Sequence, residues 1–196
     1  MKKLLAILLL LLAVAAPAKA QEAEQIKRRA AEMVGQLGDY LDYMADKDNS
    51  LKNREYYRKK ALNLFIGKGE AYTIGGKRRS AVSMQTTSVN HSGVKSTPMD
   101  RYFTNLINLK YSDVKIKTTE IAKMKVSDLK RISEDTYECT CYIDQEFIGY
   151  GPDGRPRYHD ITRKSVQCFI TVEQTVDDPE YIVQLGNVTA THTERL

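Results

Sequence analysis

Three cysteines raise the first chemical question: Cys139 and Cys141, one residue apart in ECTCYIDQEF, and Cys168. On an extended segment, side chains alternate between faces, so Cys-x-Cys points two thiols the same way. Such a pair can begin a metal site, but a structural centre needs four ligands. The chain offers no second cysteine pair and no clustered histidine. Redox catalysis calls for Cys-x-x-Cys spacing and a helix start that lowers a thiol pKa, and neither is present. Two readings stay open. The sulfurs are small buried hydrophobes, or Cys168 forms a cross-strand disulfide with Cys139 or Cys141 and leaves one thiol over, as an oxidising compartment would favour.

The histidines, His91, His159 and His192, are scattered. His159 and Asp160 are neighbours, and neighbours on a strand face opposite sides, so they form no dyad with each other. No serine stands in a nucleophile-elbow context. The run GKGEAYTIGG lacks the Gly-Lys-Ser/Thr ending of a phosphate loop and reads as a hinge followed by a hairpin turn. Of the basic triplets Lys27–Arg29, Arg58–Lys60 and Lys77–Arg79, the first two read as solvated helix faces. Lys115, Lys117, Lys123 and Lys125, opposite the apolar face of their strand, read as a solvent-facing strand that resists edge aggregation or as a surface for an anionic partner or glycan. One polar cluster stands out. Gln145 lies on the otherwise apolar face of the cysteine strand, and Thr162 and Lys164 lie on the corresponding face of the return strand. Buried polar groups need partners, so either the core ends here and a wet pocket or open rim begins, or the hairpin simply projects beyond the core.

The elements that position these residues follow from periodicity. The apolar stripe Ile26, Ala30, Met33, Leu37, Leu41 and Met44 predicts a helix over 22–45, with Gly35 and Gly38 as a place to bend. Ser50 caps a second helix that ends at Gly67. Gly75-Gly76 turns a hairpin after EAYTI. A strand carries Val82, Met84, Thr86 and Ser88, and NHSG closes it. Thr97 is expected to cap a third helix through Met99, Tyr102, Phe103, Leu106 and Ile107.

From Asp113 the period is two. Val114, Ile116 and Thr118 share a face that Ala122, Met124 and Val126 continue past a kink near Glu120. GPDGRP turns the cysteine strand into its return strand over 158–174. If that hairpin closes at Asp153-Gly154, paired residue numbers sum to roughly 307, which sets Cys168 against Cys139. A turn at Asp177-Asp178-Pro179 leads to a last strand over 181–193, with a bulge at Gly186.

Residues 1–20 read as a bacterial-type signal peptide: Lys2 and Lys3, an apolar run from Leu4 to Ala16, then Ala18-Lys19-Ala20 and cleavage before Gln21. The product is expected in the periplasm or outside the cell, as one domain over 21–196, with no transmembrane segment in the mature chain. Without Lys2, Lys3 and Lys19, 27 basic residues face 25 acidic ones. That balance gives no global field for nucleic acid.

The order helix, helix, strand, strand, helix and long strands resembles the nuclear transport factor two-like superfamily, the cone-shaped α+β fold of ketosteroid isomerases and polyketide cyclases. The resemblance implies helices on a curved, mainly antiparallel sheet of five to six strands with a pocket at the cone's open end. Enzymes of that superfamily use a pocket carboxylate or histidine as base. No residue here matches one, and Asp144 and Glu146 face away from the core. The expectation is therefore a non-enzymatic exported domain, without cofactor or metal, binding a small ligand or an envelope protein. The alternatives are an isomerase, cyclase or hydrolase with a pocket acid/base, and a structural envelope component that self-associates as a homodimer. A buried, pKa-shifted carboxylate or histidine in the pocket would discriminate for the enzyme.

Overall fold

The computed structural model describes residues 2–175 and 179–196; the side chains of residues 2–20, His91 and Ser92 are not described. The elements run α1 (Lys2–Ala45), α2 (Leu51–Leu62), a 3₁₀ turn (Ile66–Gly69), β1 (Tyr72–Ile74), β2 (Lys77–Arg79), β3 (Ser83–Ser88), β4 (His91–Pro98) and α3 (Met99–Ile107). They continue as β5 (Asp113–Thr118), a 3₁₀ turn (Ile121–Lys123), β6 (Lys125–Val126), β7 (Lys130–Arg131), β8 (Thr136–Tyr150), β9 (Pro156–Glu173) and β10 (Glu180–Arg195). Asp177 and Asp178 of the expected last turn lie outside the described residues. Among the described residues no helix is long and apolar enough to cross a membrane.

The chain is α+β, with N-terminal helices on a bulged sheet, the layout that the resemblance implies. The sheet is larger than expected: among the described residues it has eight strands, in the order β4-β3-β10-β9-β8-β5 with β6 and β7 also paired to β8, beside a separate β1-β2 hairpin. The extra strands are those with least pattern. HSGVKSTP has no apolar alternation because β4 is a polar edge, and β6 and β7 are two residues each. One pairing is parallel, β3 with β10 at Met84 and Val188.

The β8–β9 register sets Cys139 opposite Cys168 and Gln145 opposite Thr162, as the turn position predicts. Gly75 and Gly76 take positive φ in the β1-β2 turn, and the β9–β10 ladder shifts register between Leu185 and Val188, around Gly186.

Several local expectations are corrected. Helical structure runs unbroken through Gly35 and Gly38. The glycines instead allow close approach, since a Cβ at Gly38 would lie 2.9 Å from Thr118 Oγ1 and one at Gly35 2.7 Å from Ile121. Ser50 does cap α2, accepting from Asn53 N–H, but the helix stops at Leu62 rather than Gly67. Beyond it Phe65 turns extended and bridges to Leu185, with Leu185 N–H donating to Leu64 O at 2.8 Å, so sheet pairing takes the chain out of the helix. Thr97 does not cap α3; it is a buried strand residue, and Pro98 holds the N-cap position. Ala122 leaves the apolar face because its segment is a 3₁₀ turn, and it is exposed.

The core forms where the α1 stripe Ile26, Ala30, Val34, Leu37, Leu41 and Met44 meets the inner sheet face of Cys139, Cys141, Ile143, Val166, Cys168 and Ile170. Each fully buried aliphatic side chain there contributes roughly 1.5–3 kcal/mol of transfer free energy.

Candidate functional site

Beyond Val166 the same face of β9 continues with Lys164, Thr162 and Asp160, because side-chain parity does not change along the strand. Opposite them on β8 stand Ile143, Gln145 and Phe147. Across from this ribbon α3 contributes Tyr102 and Leu106, β3 contributes Thr86, Thr87 and Ser88, and Tyr111 closes a side. Apart from Ile143, these residues line a cavity of about 360 Å³. Four aromatic rings stand in its walls, Tyr102, Tyr111, Phe147 and Tyr158, and Phe147 makes edge contacts with Tyr111 at 5.9 Å and Tyr158 at 5.8 Å. All three pocket residues read from the sequence, Gln145, Thr162 and Lys164, are buried and line this cavity, so the hairpin does not project beyond the core.

Lys164 is only 4% exposed. Its Nζ donates to Gln145 Oε1 at 2.7 Å, approaches Met84 Sδ at 3.6 Å, and lies 5.9 Å from the centre of the Tyr102 ring. Among the described residues no carboxylate stands within 4.0 Å of it. Behind it lie Val34, Leu37 and Leu41 of α1. Burial in these surroundings pushes the amine down to about 8, with the Asp160 charge pulling the other way. Burial also pushes the Tyr102 phenol up to about 12.

Asp160 is the residue that sequence reasoning missed. It is 4% exposed, sits opposite Phe147, and accepts a hydrogen bond from the Tyr158 hydroxyl. Tyr158 in turn shares a hydrogen bond of 3.0 Å with Ser88 Oγ. Burial raises the Asp160 pKa above its ordinary value, against the lowering effects of the Tyr158 bond and of the Lys164 charge. The signal was available: Asp160 is two residues before Thr162, on the face already assigned to the pocket. Asp160 and Lys164 are the only charged side chains lining the cavity among the described residues. Thr162 satisfies its hydroxyl on Thr193 at 2.8 Å.

The outward face holds what parity assigned to it. Asp144 pairs with Arg163 at 3.1 Å, and Glu146 pairs with His159 Nε2 at 2.7 Å and with Lys117 at 3.4 Å. The His159 hydrogen bond, then Lys117, holds the Glu146 carboxyl below its ordinary value. His192 is exposed on β10, and the His91 side chain is outside the described residues. The basic triplets of the helices are ion-paired: Lys27 with Asp128 at 3.1 Å and with Glu24 at 3.5 Å, Arg29 with Glu32, and Arg58 of α2 with Glu55 and with Asp100 of α3.

Cys139, Cys141 and Cys168 are buried free thiols, with Cys168 Sγ 3.7 Å from Cys141 Sγ. Hydrogen bonding with Cys139, together with burial, pushes Cys141 up to about 12 and Cys168 well above the ordinary thiol value. They sit against α1, away from the cavity lining.

No protein-family profile matches the chain, and no characterised sequence does either. Among solved structures the chain is similar to a scytalone dehydratase-like protein from Novosphingobium aromaticivorans, at 13% identity and a TM-score of 0.42, covering 90% of this chain and 91% of that one. It is also similar to a protein from Kribbella flavida (14%, TM-score 0.41, 87% and 95% covered). A type 2 hexachlorocyclohexane dehydrochlorinase, LinA, is similar at 9% identity and a TM-score of 0.38, with 88% and 93% covered. Likenesses at this level concern the general course of the chain, and the site stands on its own geometry.

Proposed function

We propose that the cavity is the active site of a small-molecule acid/base enzyme that removes a proton from carbon next to a carbonyl, as isomerases and cyclases do. The observation that carries this reading is Asp160: a carboxylate buried in an aromatic-walled cavity, with its basicity raised by burial. A pure binding pocket has no need of such a group, whereas general-base catalysis needs a carboxylate tuned toward the working pH. This favours the enzyme over the non-enzymatic binding domain. Tyr158 orients the carboxylate, and the Lys164–Gln145 pair supplies the polar end to which a substrate oxygen is drawn. A cavity of about 360 Å³ suits a compound of one or two rings. The leader-like pattern of residues 1–20 supports a site of action outside the cytoplasm as part of this proposal.

The test is deuterium exchange. Phenylacetone, which has one aromatic ring and an acidic methylene beside a carbonyl, is incubated with the full chain in D₂O, and loss of the methylene signal is followed by proton NMR. The protein should accelerate exchange over buffer, and Asp160→Asn should slow it by about 100-fold or more, the usual share of a general base. Exchange at the wild-type rate in Asp160→Asn would overturn the assignment.

A further inference from the structure

Lys164 has the environment of an amine that acts rather than one that pairs. A buried ammonium without an anionic contact is costly, and the groups facing this one from every side are neutral: Gln145 of β8, Met84 of β3, Tyr102 of α3 and the aliphatic stripe of α1. Among the described residues the only charged group sharing its cavity is Asp160, on its own strand and beyond hydrogen-bond reach. A methionine would fill nearly the same space, so packing alone does not account for an amine at this position.

We propose that Lys164 is a covalent catalytic residue that forms a Schiff base with the carbonyl of an aldehyde or ketone substrate. This rests on the carbon-acid reading above and deepens it. The neutral amine adds to the carbonyl carbon and a C–N bond forms. The carbonyl oxygen takes up protons and leaves as water, which gives an iminium. The positive nitrogen withdraws electrons from the neighbouring carbon, and Asp160 takes a proton from that carbon to give an enamine. Reprotonation, on the same or a different carbon, and hydrolysis return the free amine. One water is lost and one regained, and no oxidant or reductant takes part. An amine titrating near 8 is roughly a quarter neutral at pH 7.5, against about a thousandth for an ordinary lysine.

The experiment is reductive trapping. The full chain is incubated with phenylacetone and cyanoborohydride at pH 7.5, digested, and mapped by mass spectrometry. The expected result is one reduced adduct, on Lys164, with little on exposed lysines or on the partly buried Lys47, whose ammonium donates to Ile107 O at 2.9 Å. Lys164→Met and Lys164→Arg should both lose the adduct, and the arginine variant shows that charge alone does not suffice. Labelling spread over surface lysines, or absent from Lys164, overturns the proposal. The two readings fail separately. Exchange that requires Asp160 but persists in Lys164→Met, without adduct, removes the covalent step and leaves the base. An adduct on Lys164 with exchange unchanged in Asp160→Asn does the reverse.

Discussion

Burial shifts Lys164 and Asp160 each toward its neutral form, and the sign of that shift can be read from stability. The Lys164 pKa, about 8, lies below the 10.5 of the unfolded chain. Between those values the unfolded state binds more protons, so stability rises with pH across the window. The full effect is on the order of 3 kcal/mol for a shift of this size. Above pH 10 Tyr102 works in the opposite sense, because its folded pKa, about 12, lies above its unfolded one. Urea unfolding at pH 7 and pH 9.5 should show the wild type gaining on Lys164→Met by about 2 kcal/mol over that interval. Parallel pH dependences would mean that the amine is hydrated in the fold. Gln145, Thr162 and Lys164 were legible in the sequence because strand parity puts them on an apolar face where they do not belong. Asp160 obeys the same parity, but its neighbour His159 invited a test for a dyad, and their opposite orientations ended it too early.

At the level of elements, the strongly periodic segments were legible and the weakly patterned ones were not. The α1 stripe, the β8–β9 register and the bulge at Gly186 follow from spacing and turn chemistry alone. The β4 strand did not, because a polar edge strand carries no alternation, and the end of α2 is set by a bridge to Leu185, which lies far along the chain. The glycines of α1 show how propensity misleads. Glycine in mid-helix costs about 1 kcal/mol relative to alanine, so Gly38→Ala ought to stabilise an isolated helix. Here the added methyl would meet the Thr118 side chain, whose Oγ1 and Cβ stand 2.9 and 3.0 Å away. Thr118 is short, β-branched and fixed on β5, and cannot swing aside. Gly38→Ala should therefore lower the urea-unfolding free energy by about 1–2 kcal/mol, the ordinary cost of overpacking. A gain in stability would show that α1 and β5 are less closely packed than described.

On the scale of the whole molecule, the cavity exists because distant segments converge. Residues 86–88, 102–111, 145–147 and 158–164 supply its walls, and the parallel seam between β3 and β10 brings the first of these to the rest. No local pattern announces that seam, so the pocket's floor was readable from the sequence while its far wall was not. The same convergence buries Asp160 and raises its pKa above the ordinary value, as the proposed base requires. Carbon-13 NMR of aspartate-labelled protein, with Asp160 assigned by comparison with Asp160→Asn, tests this without any choice of substrate. The carboxyl should titrate in the native protein above the ordinary value of 3.8 and return to that value in urea. A native midpoint at or below the ordinary value would contradict the account, for the cavity would then hold a stabilised anion and no base.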